Sequence, residues 1–135
     1  MIGALSSTTH SVCLLDDDTS VLKAISRLLS SEGWQVEAFS DPMNFLHYAQ
    51  AHHPPLVVLD ILMPEMSGLE VQTQLRTVSP STQVVVLTSN DDPAIRNQAM
   101  DGGASAFFLK PVDDCQFLAG LRSVACDHLD AKSVG

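Results

Sequence analysis

This 135-residue chain is poor in basic residues: 7 Lys and Arg stand against 16 Asp and Glu, a formal net charge of −9. No Lys/Arg-rich run occurs anywhere in it. Contacts to a phosphate backbone need clustered basic side chains, so no direct nucleic-acid binding is expected. Cysteine is scarce as well. Cys13, Cys115 and Cys126 are odd in number and lack CxxC spacing, which argues against a disulfide framework and a zinc site. Cys13 lies in an apolar run and reads as a small core residue. No apolar run approaches the ~18 residues of a bilayer span. Residues 1–9 carry Ser and Thr but no basic stretch of the kind that opens a signal peptide. The expectation is a cytoplasmic protein with no membrane segment and a flexible arm over residues 1–10.

What is present is a core. Hydrophobic residues make up 45% of the chain, and its length suits one domain rather than two. The stretch Leu56-Val57-Val58-Leu59-Asp60 runs four apolar residues without alternation into a carboxylate, the pattern of a strand buried on both faces of a parallel sheet. Similar strand cores are expected at Val12–Leu15, near Trp34–Phe39, at Gln83–Leu87 and at Ser105–Leu109. Helical periodicity lies between them. The first helix carries Val21, Leu22, Ile25, Leu28 and Leu29 on one face, with Asp18 as its cap and Gly33 at its end. Ser40 or Asp41, then Pro42, opens the second. Ser67 and Glu70 have capping-box spacing for the third. Asp91 or Asp92, then Pro93, opens the fourth, which Gly102-Gly103 closes. The fifth begins near Asp113 and buries Phe117, Leu118, Leu121, Val124 and Ala125, although Gly120 inside it costs about 1 kcal/mol against Ala. Five strands alternating with five helices predict an α/β fold, a doubly wound parallel sheet with right-handed crossovers and helices on both faces.

Each apolar strand core except the second ends in a functional side chain. These are Asp16, Asp17 and Asp18 after the first, Asp60 after the third, Thr88 after the fourth and Lys110 after the fifth. The carboxyl ends of parallel strands meet on one rim, where ligands bind open α/β sheets. Two unit charges 4 Å apart cost about 4 kcal/mol at an effective dielectric near 20. One lysine cannot neutralise three carboxylates, whereas a hard divalent cation with oxygen ligands can. With such an ion to align and neutralise a phosphoryl group, Asp60 suits nucleophilic attack, with Lys110 and the Thr88 hydroxyl on phosphoryl oxygens.

The segments Leu14-Leu15-Asp16-Asp17, Asp60-Ile61-Leu62-Met63-Pro64 with Gly68, Thr88-Ser89 and Phe107-Phe108-Leu109-Lys110-Pro111 resemble the receiver domain of two-component response regulators over roughly residues 11–127. The resemblance implies the flavodoxin-like strand order 2-1-3-4-5, an example the general rule for such sheets itself uses. It implies that Asp60 accepts a phosphoryl group from a histidine kinase or histidine phosphotransfer protein. Mg²⁺, or Mn²⁺ in its place, would be held by Asp16, Asp17, Asp60 and the backbone carbonyl of Leu62. Thr88 and Phe107 would form the switch, and the Lys110–Pro111 bond would be cis. The fourth helix, fifth strand and fifth helix would present the output face, for a homodimer or a partner. The chain would be no enzyme beyond promoting its own phosphorylation and dephosphorylation. Two departures stand out. The switch aromatic is Phe107 rather than the Tyr of the chemotaxis regulator, so it has no ring hydroxyl. Leu62 and Asn90 occupy the positions that flank the hydrolytic water in the family, and an apolar Leu62 cannot orient that water.

Plainer readings apply elsewhere. Asp18, Asp91 and Asp92 suit helix caps, Met63 and Met66 suit packing, and His52-His53 beside Pro54-Pro55 suits a solvated loop. The expected organisation is an arm at 1–10, a receiver domain at 11–128, and a tail or linker start at 129–135. A competing reading is an aspartyl-phosphate hydrolase of the haloacid dehalogenase type with Asp16 as nucleophile. Asp16-Asp17-Asp18-Thr19-Ser20 half matches its motif, but Asp60 is then unexplained and no room is left for a cap domain. A third is a scaffold of the same fold that never takes phosphate.

Overall fold

A computed structural model describes residues 10–134, with side chains described through 126. The expected arm therefore lies almost wholly outside the described residues. The element order is β1 (Ser11–Leu15), α1 (Thr19–Ser31), β2 (Gln35–Phe39), α2 (Pro42–His52), β3 (Leu56–Leu59), α3 (Gly68–Val78), β4 (Gln83–Thr88), α4 (Pro93–Asp101), β5 (Ala106–Leu109) and α5 (Asp114–Val134). The strands form one parallel sheet in the order β2-β1-β3-β4-β5. α5 runs on through residues 129–134, the stretch set aside as a tail on its polarity.

Alternation along each strand sorts side chains to the two faces. Cys13, Leu15, Val57, Leu59, Val84 and Val86 pack with Phe45, Leu46 and Ala49 of α2, Val71 and Leu75 of α3 and Ala99 of α4. The other set, Val12, Leu14, Val58, Val85 and Leu87, packs with Leu22 and Leu29 of α1 and Phe117, Leu118, Leu121 and Val124 of α5. Central β3 is buried at all four positions, which is why its sequence shows no alternation. The edge strands β2 and β5 are largely exposed or half-buried.

Caps fix where the helices start. Asp18 accepts from the backbone N–H groups of Ser20 and Val21, Asp41 from Asn44, and Asp92 from Ala94. Ser67 caps α3 by accepting from the N–H of Leu69 at 3.1 Å, so the bond goes to the second helical residue rather than to Glu70 as capping-box spacing suggests. β2 starts at Gln35, one residue late, because Trp34 is still bonded to the end of α1 through Leu29. The His52–Pro55 turn is tied down as well as exposed: His53 sits in the left-handed region at φ 48, and its Nδ1 lies 3.3 Å from the hydroxyl of buried Ser79.

Gly120 has a packing reason. A Cβ there would overlap the ring of Phe108, which itself packs edge-on against Phe117 at 5.7 Å. Propensity alone predicts that Gly120→Ala stabilises α5 by about 1 kcal/mol. The collision predicts a net loss of about 1–3 kcal/mol instead, the usual cost of overpacking. Urea unfolding decides between the two signs, and a higher midpoint for the variant would contradict the packing account.

Candidate functional site

The carboxyl ends of β1, β3, β4 and β5 carry Asp16, Asp60, Thr88 and Lys110, and the parallel register brings them to one rim. Asp16 and Asp60 follow their strands directly, and the N–H of Asp60 continues the ladder by donating to the carbonyl of Leu15. Both carboxylates are buried, at 6% exposure each, while Asp17 is exposed. One carboxylate oxygen from each of Asp16, Asp17 and Asp60 lies within 4.8 Å of the others. Asp18 points away to cap α1, as its position suggests, although its N–H donates to Asp16 Oδ1 at 2.9 Å.

The single ammonium at the rim is unevenly shared. Lys110 Nζ is 2.7 Å from Asp16 Oδ2 and 3.5 Å from Asp60 Oδ2. Burial by itself lowers the Lys110 pKa, but the hydrogen bond to Asp16 and the charges of Asp60 and Asp16 outweigh it, and the net shift is upward. Asp60 is also pushed up. Burial is the main cause, with a smaller addition from Asp16, and the attraction of Lys110, the Thr88 hydroxyl and the Leu62 N–H at 3.2 Å does not fully offset them. The carboxylate at the centre of the rim is thus short of positive charge. Three oxygen donors and that shortfall fit a hard divalent cation.

Thr88 is fully buried, and its Oγ1 accepts from the N–H of Asn90 at 3.3 Å. That bond uses an oxygen lone pair, and the hydroxyl proton is the one that helps stabilise the Asp60 carboxylate. Leu62 projects from the β3–α3 loop with its side chain 49% exposed. The Lys110–Pro111 peptide bond is cis. Phe107, half-buried on the α4 side of β5, lies under the guanidinium of Arg96, 5.7 Å from its ring centroid. Gly68 packs so closely beneath the rim that a Cβ would overlap the carbonyl oxygen of Asp60, the Leu59 side chain and the backbone of Ile61. Five of the six singled-out side chains, Asp16, Asp17, Asp60, Thr88 and Lys110, therefore meet at the rim, whereas Phe107 lies two residues before the end of β5, in the apolar layer beneath Arg96. Reading the sequence missed Arg96, which belongs to no motif and reaches Phe107 only through the packing of α4. It counted Gly68 as part of a loop motif without seeing that the backbone of Asp60 fills the place of its side chain.

The family model described as the response regulator receiver domain matches residues 12–122. The response regulator protein TodT of Pseudomonas putida is 34% identical over 119 residues, which cover 88% of this chain and 52% of TodT. Among solved structures, a CheY-like receiver domain protein from Methanospirillum hungatei superposes with a TM-score of 0.87 at 22% identity, covering 92% of this chain and 99% of that one. The CheX–CheY–BeF₃–Mg²⁺ complex from Borrelia burgdorferi gives a TM-score of 0.81 at 23% identity, over 85% and 88% of the chains. None of these favours the haloacid dehalogenase reading. The chain spans about half the length of the curated relatives it matches, and the expectation of no nucleic-acid contact finds no support in them. No helix among the described residues is long and apolar enough to cross a membrane.

The raised Asp60 pKa gives a stability prediction with a definite sign. The folded state holds that proton more tightly than the unfolded chain, so stability falls as pH rises from the ordinary 3.8 through the raised value. Above that window the charged form remains at a disadvantage. Asp60→Asn is therefore expected to unfold at a higher urea concentration than the parent at pH 7, and the gap should narrow as the pH drops through the window. A variant less stable at pH 7 would show that the carboxylate is adequately compensated.

Proposed function

The chain belongs to the response regulator receiver domain family, a signalling module of two-component systems rather than a classical enzyme, and we propose that Asp60 is its phosphoacceptor. The observation that carries this is a buried carboxylate at the centre of the rim with an ammonium 3.5 Å away and two further carboxylates beside it. The donor would be a histidine kinase or a histidine phosphotransfer protein. An Asp60 carboxylate oxygen attacks phosphorus as the bond from phosphorus to the donor imidazole nitrogen breaks, and the product is an aspartyl phosphate. Lys110 then pairs with a phosphoryl oxygen, and the Thr88 hydroxyl, its oxygen already accepting from Asn90, donates to another. Asp16, Asp17 and Asp60 with the Leu62 carbonyl would hold Mg²⁺, or Mn²⁺ in its place. Bound there, the ion supplies positive charge that neutralises and orients phosphoryl oxygens. The Mg²⁺ in the name of the Borrelia complex supports that reading by likeness of fold.

Thr88 and Phe107 would couple this rim to the face formed by α4, β5 and α5. Drawing Thr88 toward the phosphoryl group opens space into which Phe107 turns from beneath Arg96, and the altered face would form a homodimer or meet a partner. The cytoplasm is the proposed compartment, and the boundaries proposed for the receiver domain are residues 11–128. This domain itself would make no nucleic-acid contact, on its acidic balance.

Incubation with acetyl phosphate and Mg²⁺ is expected to add one phosphoryl group, mapped by mass to Asp60. Asp60→Asn should abolish the addition, and Asp17→Asn should raise the Mg²⁺ needed for half-maximal labelling by about tenfold or more, since even outer-shell losses cost about that much. Modification at Asp16 would favour the hydrolase reading, and none at all would favour the scaffold. The exposed, apolar Leu62 gives a second expectation, a long-lived aspartyl phosphate. Decay of the labelled protein as fast as in chemotaxis-type regulators would remove Leu62 from this role.

A further inference from the structure

At the other end of the sheet the starting ends of β1 and β2, the last turn of α2 and the His52–Pro55 turn line a solvent-open cleft of about 460 Å³, within the size range of small-molecule sites. Glu37 supplies a carboxylate to its lining and, among the described residues, no Lys or Arg contributes. Glu37 has no ion-pair partner among the described residues. In register beside it on β1 lies Cys13, whose thiol is pushed up to about 12 by burial and by the charge of Glu37. Tyr48 is pushed up too, by burial first and then by Cys13 and Glu37. Both groups are thus neutral at working pH and both feel an unbalanced negative charge.

The remaining walls suit the body of an organic cation. The rings of Tyr48 and His52 lie 4.4 Å apart at 33°, an aromatic surface against which an apolar body can pack. His53 offers an acceptor. The Thr82 hydroxyl donates to the carbonyl of Pro54 at 2.6 Å, so in the 2.6 Å contact between Ser79 and Thr82 the donor must be Ser79. The Ser79 oxygen can then only accept from His53, which places a proton on Nδ1. In the neutral ring this leaves Nε2 with a lone pair, and among the described residues nothing bonds to it.

We propose that this cleft binds an organic ammonium ion, with the cation on Glu37, its apolar body against the Tyr48–His52 pair and a spare N–H on His53. An anion would meet a carboxylate and, among the described residues, no Lys or Arg. A transition metal is disfavoured because, among the described residues, the only three closely spaced potential ligands are Asp16, Asp17 and Asp60. The inference does not rest on the role of Asp60.

The test is a titration of the ¹⁵N-labelled chain at neutral pH with phenethylammonium chloride, with 2-phenylethanol as a neutral probe of the same shape. Saturable shifts are expected for amides at Val12–Cys13, Gln35–Glu37, Tyr48 and His52–His53, and little response to the alcohol. Glu37→Gln, at an exposed edge-strand position, should weaken binding by about tenfold, the scale on which a charge-assisted contact exceeds a neutral one. Asp60→Asn should bind as the parent does. The proposal is overturned if shifts fail to saturate in the millimolar range, centre on Asp16, Asp17 and Asp60, appear equally with the alcohol, or persist undiminished in Glu37→Gln. Because the alcohol comparison uses the parent chain, it decides the matter even if the variant does not fold.

Discussion

One ammonium for three carboxylates is the constraint on which the rest of this molecule turns. Lys110 lies closer to Asp16 than to Asp60, so the central carboxylate is the less compensated of the two. Burial at 6% exposure keeps water from screening the deficit. A rim left in that condition favours whatever brings positive charge, and afterwards whatever spreads negative charge over more oxygens. The proposed divalent ion would answer that imbalance, and the proposed phosphoryl group, which adds negative charge, would depend on the ion and on Lys110.

The fold exists in a form that can hold such a rim. Five parallel strands put their carboxyl ends on one edge, and the two helical layers bury the sheet so completely that β3 has no exposed position. A like-charge cluster costs stability, and the cost is met by apolar packing on both faces rather than by local ion pairs. Close approach makes the placement exact enough to matter. Gly68 lets α3 start against the backbone of Asp60, and Gly120 lets α5 lie over Phe108, which holds the strand that carries Lys110. Gly120 looks like a helix weakness from propensity and Gly68 like an ordinary loop residue, yet both are contact points in the packed molecule.

The two ends of the sheet differ in how they treat charge. The rim at the strand ends pairs its acids with a lysine and is built for change. At the strand starts, Glu37 has no such partner among the described residues, and the hydroxyl chain from Pro54 through Thr82 and Ser79 fixes His53 in place. That chain corrects the view of His52-His53-Pro54-Pro55 as merely solvated: the two histidines are exposed, yet one is anchored through buried Ser79 and Thr82.

Much of this was legible without coordinates. Uninterrupted apolar runs marked buried parallel strands, Asp18, Ser40 or Asp41, Ser67, and Asp91 or Asp92 marked helix starts, and a polar residue after each of four strand cores marked the rim; the structure chose Asp41 and Asp92. These are local signals, because burial pattern and capping depend on residues a few positions apart. The strand order came only with the resemblance. Which acid Lys110 prefers, the ring of Phe107 under Arg96, the filling of space at Gly68 and Gly120 and the proton on His53 were decided by tertiary structure alone. Each is a contact between residues distant in sequence, set by how helices and strands pack, and no pattern of neighbours along the chain encodes it.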